Sequence, residues 1–308
     1  MFSSFFQKKS SRKNKRSIRK TKKLNCSPIV AGKTPVKTSC LTEDVLYKIK
    51  SDYNKNHINN PIRYTDPTKI WEELHTRLTT CTEEDCWLSQ IKDESMRKKI
   101  KEEIYAPNQP PEWKKNPNEW LSNFDILNVL KQYEKTYSYF KFIGPSFIDF
   151  DDPLDETCVS EELCNFKLEY YIKNKIKKIG IIFNLDRHDQ SGSHWVSLFI
   201  DIENRFIFYL DSAGSHIPFE INNLVKRIKK QAKALDMKIR FYQNYPLEHQ
   251  MGNTECGMYS LFFIITMLTE KTENESLNTP KKRIMFFKEK RIPDKYVEQL
   301  RNKYFNST

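Results

Sequence analysis

The run 256–268 reads Cys-Gly-Met-Tyr-Ser-Leu-Phe-Phe-Ile-Ile-Thr-Met-Leu, apolar on nearly every side when wound as a helix. Such a helix has to be buried all round, so the rest of the chain must supply layers that cover it. The 308 residues are enough to do so. Just upstream, 179–183, 195–200 and 205–210 are β-rich runs, the last two separated by the turn-like Glu203-Asn204. The stretch 219–235 returns to helix with a lysine-rich outer face, and 238–242 reads as a short strand. The expected class is α+β, with a central buried helix packed on a sheet.

The N-terminal part has a different character. Net charge is +12, but the first acidic residue is Glu43 and 12 Lys and Arg precede it. The remainder balances at 40 basic and 40 acidic side chains. Residues 1–41 therefore read as a basic disordered arm, with ten Lys and Arg between Lys8 and Lys23. Such an arm has nucleic acid as a possible partner through its charge, although no aromatics interleave the run for base stacking. Residues 42–111 read as a helical accessory domain. Asp66-Pro67 starts one helix, followed by Ile70, Trp71, Leu74 and Leu78 at helical spacing. A second helix is expected from Thr82, with Asp85 in a capping-box position. Residues 112–308 form the remaining domain, opening with a helix over 120–137 that turns Phe124, Leu127 and Leu130 to one side.

Seven cysteines at 26, 40, 81, 86, 158, 164 and 256 are odd in number and irregular in spacing. That pattern speaks against a disulfide framework and for a reducing compartment, with Cys158 and Cys164 as structural thiols. No Cys-x-x-Cys metal spacing occurs, and no metal or cofactor is expected. The longest apolar run, 258–268, is too short to span a bilayer, so a soluble chain is expected.

Chemistry concentrates in 180–257, where five of the seven glycines fall. His194 begins one apolar strand and Asp211 ends the next, so antiparallel pairing would bring both to one sheet edge. Cys256 starts the buried helix, where the dipole and free amides favour a thiolate. A thiolate, an imidazole and an orienting carboxylate are the parts of a cysteine peptidase. Gln250, six residues before the cysteine, could supply an oxyanion donor beside the Cys256 backbone N–H. Taken singly, each has a bland reading: Cys256 as a small core hydrophobe, His194 as a core histidine, Asp211 as a turn cap. Asp201 competes for the carboxylate role, but it lies only seven residues after His194. Asn184 and Asp186 read as braces for the loop that carries His194, and His188, His216 and His249 as loop residues.

Gly192-Ser193-His194-Trp195, Asp211-Ser212 and Gln250-x5-Cys256-Gly257 stand in an order and spacing that resembles the ubiquitin-like-protein-specific (SUMO-type) and adenovirus-type cysteine peptidases. Glu119-Trp120-Leu121 looks like the entry to that family's core, so the resemblance covers roughly 112–270. In look the chain is nearest to the large-DNA-virus polyprotein-processing members, such as that of African swine fever virus. The resemblance implies a papain-like core and a His194–Asp211–Cys256 triad aided by Gln250. It further implies a thiol endopeptidase that cleaves viral structural polyproteins at Gly-Gly-x type sites, located in the virion and host cytoplasm. Trp195 closing a narrow subsite would account for the glycine preference. The alternatives on the same fold are an isopeptidase removing ubiquitin-like modifiers and an acyltransferase; an inert scaffold with a basic tail is a fourth.

Overall fold

The computed structural model describes residues 22–307. The basic run assigned to the arm lies outside the described residues except for Lys22 and Lys23. Residues 22–41, expected to belong to that arm, instead pack into the helical unit. Leu24, Val30 and Leu41 are buried in its core, and the Asn25 amide hydrogen-bonds the carbonyls of Asn302 and Phe305 near the C terminus. Scattered apolar residues among lysines carry no periodic signal, so this packing is a tertiary effect.

The helical unit contains α1 (Glu43–Asn56), α2 (Pro67–Arg77) and α3 (Glu94–Ile104). Asp66 caps α2 through the Lys69 amide at 2.9 Å, with Pro67 at the first helical position, as the sequence predicts. No α-helix starts at Thr82. A 3₁₀ segment, Glu84–Gln90, takes its place, and α3 begins later behind Asp93, which caps it through the Met96 amide at 3.0 Å. Glu84 is turned inward, accepting from the Trp71 indole at 2.5 Å and the Cys40 amide at 3.1 Å, which fixes the segment in its tighter form.

Helix α4 (Asn123–Thr136) carries a Ser122/Asp125 capping box, so it starts after Trp120 and Leu121 rather than at them. Its buried face is Ile126, Val129 and Leu130, and Phe124 points outward at 73% exposure. The chain continues through β1 (Phe140–Phe147), the small β2–β3 ladder (Pro153–Leu154, Thr157–Cys158), the short helices α5 (Glu161–Cys164) and α6 (Leu168–Lys173), and β4 (Lys178–Asn184). Next come β5 (Trp195–Asp201), β6 (Phe206–Leu210), α7 (Phe219–Ala234), β7 (Arg240–Gln243), α8 (Cys256–Thr269), α9 (Pro280–Glu289) and α10 (Asp294–Tyr304).

The main sheet has order β1-β4-β5-β6-β7; the β4–β5 and β5–β6 pairs are antiparallel, and β1 and β7 pair in parallel at the edges. Alternate residues of β4–β6 feed two cores, as the two-residue period of a strand requires. Trp195, Phe199, Phe206 and Phe208 join α4, α8, α9 and α10 on one face, while Val196, Leu198, Ile207 and Tyr209 join α7 on the other. Every residue of α8 from Cys256 to Leu268 is buried, as its composition demands. Gly180 lets α8 approach closely: a Cβ there would lie 2.9 Å from Ile264. This is the expected mixed sheet on a central helix.

Six cysteines form three disulfides, Cys26–Cys40, Cys81–Cys86 and Cys158–Cys164, against the expectation of free thiols. Parity and spacing do not report proximity, whereas folding of the 22–41 segment and of the loops around α2 and α5 brings each pair together. Cys256 is the one free cysteine. No helix among the described residues is long and apolar enough to cross a membrane.

Candidate active site

The register of β5 and β6 pairs Ser197 with Leu210, so the residue before β5 and the residue after β6 emerge at one sheet edge. His194 and Asp211 occupy those places, and His194 Nε2 lies 2.7 Å from Asp211 Oδ1. Cys256, at the start of α8, lies close enough to the same imidazole to help raise its pKa. The three candidates therefore converge. Asp201, the competing carboxylate, sits at the far end of β5 and is fully buried, with an Arg283 Nη2 at 3.2 Å.

Asp211 is 1% exposed and accepts the Ala213 amide at 2.9 Å as well as the ring. Its own amide donates to Asn244 Oδ1, and the Asn244 amide group returns to the Asp211 and Leu247 carbonyls. Asn244 thus holds the carboxylate's backbone from the end of β7, a role with no local signature in sequence. For His194, burial works against a charged ring, but the Asp211 and Cys256 bonds outweigh it and raise the pKa to about 10. At neutral pH the ring is an imidazolium between two acceptors.

The loop that delivers His194 is braced as expected. Asn184 Oδ1 accepts the Asp186 and Ser193 amides, and Asp186 accepts the Gly192 amide and the Ser193 hydroxyl. Of the other histidines, His188 leans on the buried Asp149 at 2.7 Å. His249 is not a solvated loop residue: it is fully buried, accepting the Ile292 amide at Nδ1 and donating from Nε2 to the Phe287 carbonyl. Burial lowers its pKa to about 4, so it is neutral.

Gln250 lies on the loop before α8. Its Oε1 accepts from the Ser212 hydroxyl at 2.7 Å and its Nε2 donates to the Gly252 carbonyl, leaving one amide hydrogen uncommitted. The Asp294 carboxylate of α10 grips the same loop through the Met251 and Gly252 amides and also accepts from the Tyr259 hydroxyl. Asp294 lies 42 residues from Gly252, so nothing local in the sequence reveals the contact. Trp195 is 4% exposed, and its indole donates to the Leu121 carbonyl at 3.0 Å. Here it packs the core rather than walling a groove. The exposed indole on this segment is Trp120, 40% exposed beside Leu121, whose side chain covers the Cβ position of Gly257.

Residues 167–307 match the Ulp1 protease family, C-terminal catalytic domain. The chain is 36% identical over 151 residues to a putative thiol protease of Acanthamoeba polyphaga mimivirus, covering 49% of this chain and 48% of that one. It thus spans about half the length of that relative. It is 25% identical over 233 residues to a cysteine protease of African swine fever virus, covering 68% and 84% of the two chains. The crystal structure of the swine fever virus protease superposes with a TM-score of 0.61 at 20% identity, over 94% of this chain and 98% of that one, which shows a shared fold. The free cysteine at a helix start, beside a histidine–carboxylate pair, thus lies in the stretch that is similar to the catalytic domain of the Ulp1 protease family and to viral thiol and cysteine proteases.

Proposed function

We propose that this peptidase is a virion-maturation endopeptidase that cleaves viral structural polyproteins at Gly-Gly-x type sites, with Cys256 as nucleophile. The observation that carries the reading is the placement of His194 between Asp211 at 2.7 Å and the Cys256 thiol. Paired with that imidazolium, the Cys256 sulfur attacks the scissile carbonyl carbon and forms a C–S bond. The resulting oxyanion is met by the Cys256 backbone N–H and the spare Gln250 amide hydrogen. No side chain caps α8, so the amides of its first turn are not consumed by a capping oxygen. His194 then gives its proton to the leaving amine as the C–N bond breaks. Water, deprotonated by the neutral ring, attacks the thioester and frees the acid product. Asp211 keeps the ring oriented throughout.

The substrate class rests on relatives named as viral thiol and cysteine proteases, from a mimivirus and from African swine fever virus. The virion suits three disulfides better than a reducing cytoplasm does. A second reading, removal of a ubiquitin-like modifier from lysine, draws on the family itself and on swine fever virus relatives named as SUMO-1 cysteine proteases. Incubation with polyprotein-junction peptides and with modifier fusions separates the two. Turnover of the junctions alone, abolished by Cys256→Ser in a protein of unchanged melting temperature, is the expected result. Turnover of modifier fusions alone would reverse the order.

A further inference from the structure

Asp211 and Ser212 leave β6 side by side, and each serves a different arm of the site. Asp211 turns to the His194 ring at 2.7 Å. Ser212, 1% exposed, turns to the loop that leads into α8. Its carbonyl accepts the His249 amide at 2.8 Å and the Gln250 amide at 2.9 Å. Gly214, at positive φ, lets the two loops touch: a Cβ there would lie 2.8 Å from the Glu248 nitrogen. Backbone contacts alone thus fasten the Gln250 loop to the Asp211 loop.

The Ser212 hydroxyl acts on something else. It donates to Gln250 Oε1 at 2.7 Å, while Gln250 Nε2 donates to the Gly252 carbonyl at 3.1 Å. A carbonyl oxygen only accepts, so the nitrogen end of the carboxamide faces Gly252 and the oxygen end faces Ser212. The last torsion of a glutamine is soft, and bonds at both ends fix it. Turned end for end, the group would set its oxygen against the Gly252 carbonyl and offer lone pairs where a donor is required. A buried hydroxyl satisfied by the nearest acceptor is the bland account. It predicts lost stability and the same effect on every reaction of Cys256, whereas an orienting role touches addition to a carbonyl alone.

We infer that Ser212 is a positioning residue of the peptidase, its hydroxyl setting the Gln250 carboxamide so that the uncommitted Nε2 hydrogen is ready for the oxyanion. The inference rests on the proposed role of Gln250 as an oxyanion donor. A donor already aimed stabilises the charge that develops in the transition state without reorienting at the moment of reaction. One turn of chain then orients the imidazole through Asp211 and the oxyanion donor through Ser212.

Two reagents separate the accounts. p-Nitrophenyl acetate acylates a reactive thiol through a tetrahedral oxyanion, whatever the natural substrate, and releases p-nitrophenolate. Iodoacetamide alkylates the same sulfur by displacing iodide at a saturated carbon, with no oxyanion. Both rates are read on the full-length protein, Ser212→Ala, Gln250→Ala and the double variant, with melting temperatures in parallel. Ser212→Ala is expected to slow the acylation burst about tenfold, short of the roughly hundredfold expected for Gln250→Ala, and to leave alkylation unchanged. The double variant should acylate no more slowly than Gln250→Ala, because a residue that acts only through Gln250 has nothing left to orient. Ser212→Ala acylating at the unsubstituted rate while Gln250→Ala is slow would overturn the role of Ser212 alone. Gln250→Ala acylating at the unsubstituted rate would overturn the oxyanion reading with it. Alkylation that falls in step with acylation would assign Ser212 to the support of Asp211 and contradict the inference, as would multiplying effects in the double variant.

Discussion

The two ends of α8 are held in opposite ways. At the C-terminal end, Lys178 Nζ donates to the Leu268 carbonyl at 3.1 Å and pairs with Glu270 at 2.8 Å. Arg283 spans the Leu277 carbonyl, Glu270 and Asp201, and both Arg283 and Asp201 are fully buried. Cations at a helix C terminus are favoured by the dipole, and charges this deep persist only when paired. At the N-terminal end no side chain caps the helix, whereas Asp66 and Ser122 cap α2 and α4. The effort of holding the N-terminal end falls on its surroundings: Leu121 against Gly257, Asp294 on the 251–252 loop, and His249 bonded to the chain near Ile292. A helix secured by satisfied charge at one end can leave its donors unsatisfied at the other, where a substrate oxygen will use them.

Breaking the secured end should cost the most stability. Arg283→Ala strands Asp201 in the core, and the expected loss is about 3–5 kcal/mol in denaturant unfolding. Catalytic turnover per folded molecule should change little. A collapse of turnover without loss of stability would mean that the two ends are not separable. The reactive end should answer the other way. Gln250→Ala is expected to lower kcat by roughly a hundredfold or more, near 3 kcal/mol of barrier, with an unchanged unfolding midpoint. An equal fall in stability would make Gln250 a loop brace only.

The smallest intervention is pH alone. His194 has a raised pKa, so its charged form and its contribution to stability are fully present below about 6.5, the unfolded value. Both are lost as pH rises through the folded value of about 10. The pH profile of kcat/KM should stay level through neutrality and fall on the alkaline side near 10. A fall centred near the ordinary histidine value would mean that Asp211 and Cys256 do not hold the proton.

The reactive edge was legible in the sequence because its parts lie at ends of apolar segments: His194 before β5, Asp211 after β6, Cys256 opening α8. What was hidden depended on distant contacts or on masking residues. Strand β1 contains Gly144-Pro145, which reads as a turn, yet the ladder with β4 skips that pair through a register shift between Ile143 and Ser146. Sequence spacing places Phe124 on one side of its helix with Leu127 and Leu130, but the buried face is Ile126, Val129 and Leu130, and Phe124 is exposed. The packing of 22–41 and the three disulfides depend on contacts made only when the chain has folded. Asn244 and Asp294, which hold the site from behind, contact residues 33 and 42 positions away and carry no motif.

The most direct test of the central claim is brief exposure of the native protein to iodoacetamide near pH 6, with peptide mass spectrometry and a His194→Ala control. An ordinary thiol, with a pKa of about 8.5, is almost wholly protonated at that pH. The other six cysteines are in disulfides, so the readout is specific to Cys256. Rapid labelling of Cys256 that disappears in the control is the predicted result. Labelling that is absent, or that survives loss of the imidazole, would contradict an activated Cys256–His194 pair.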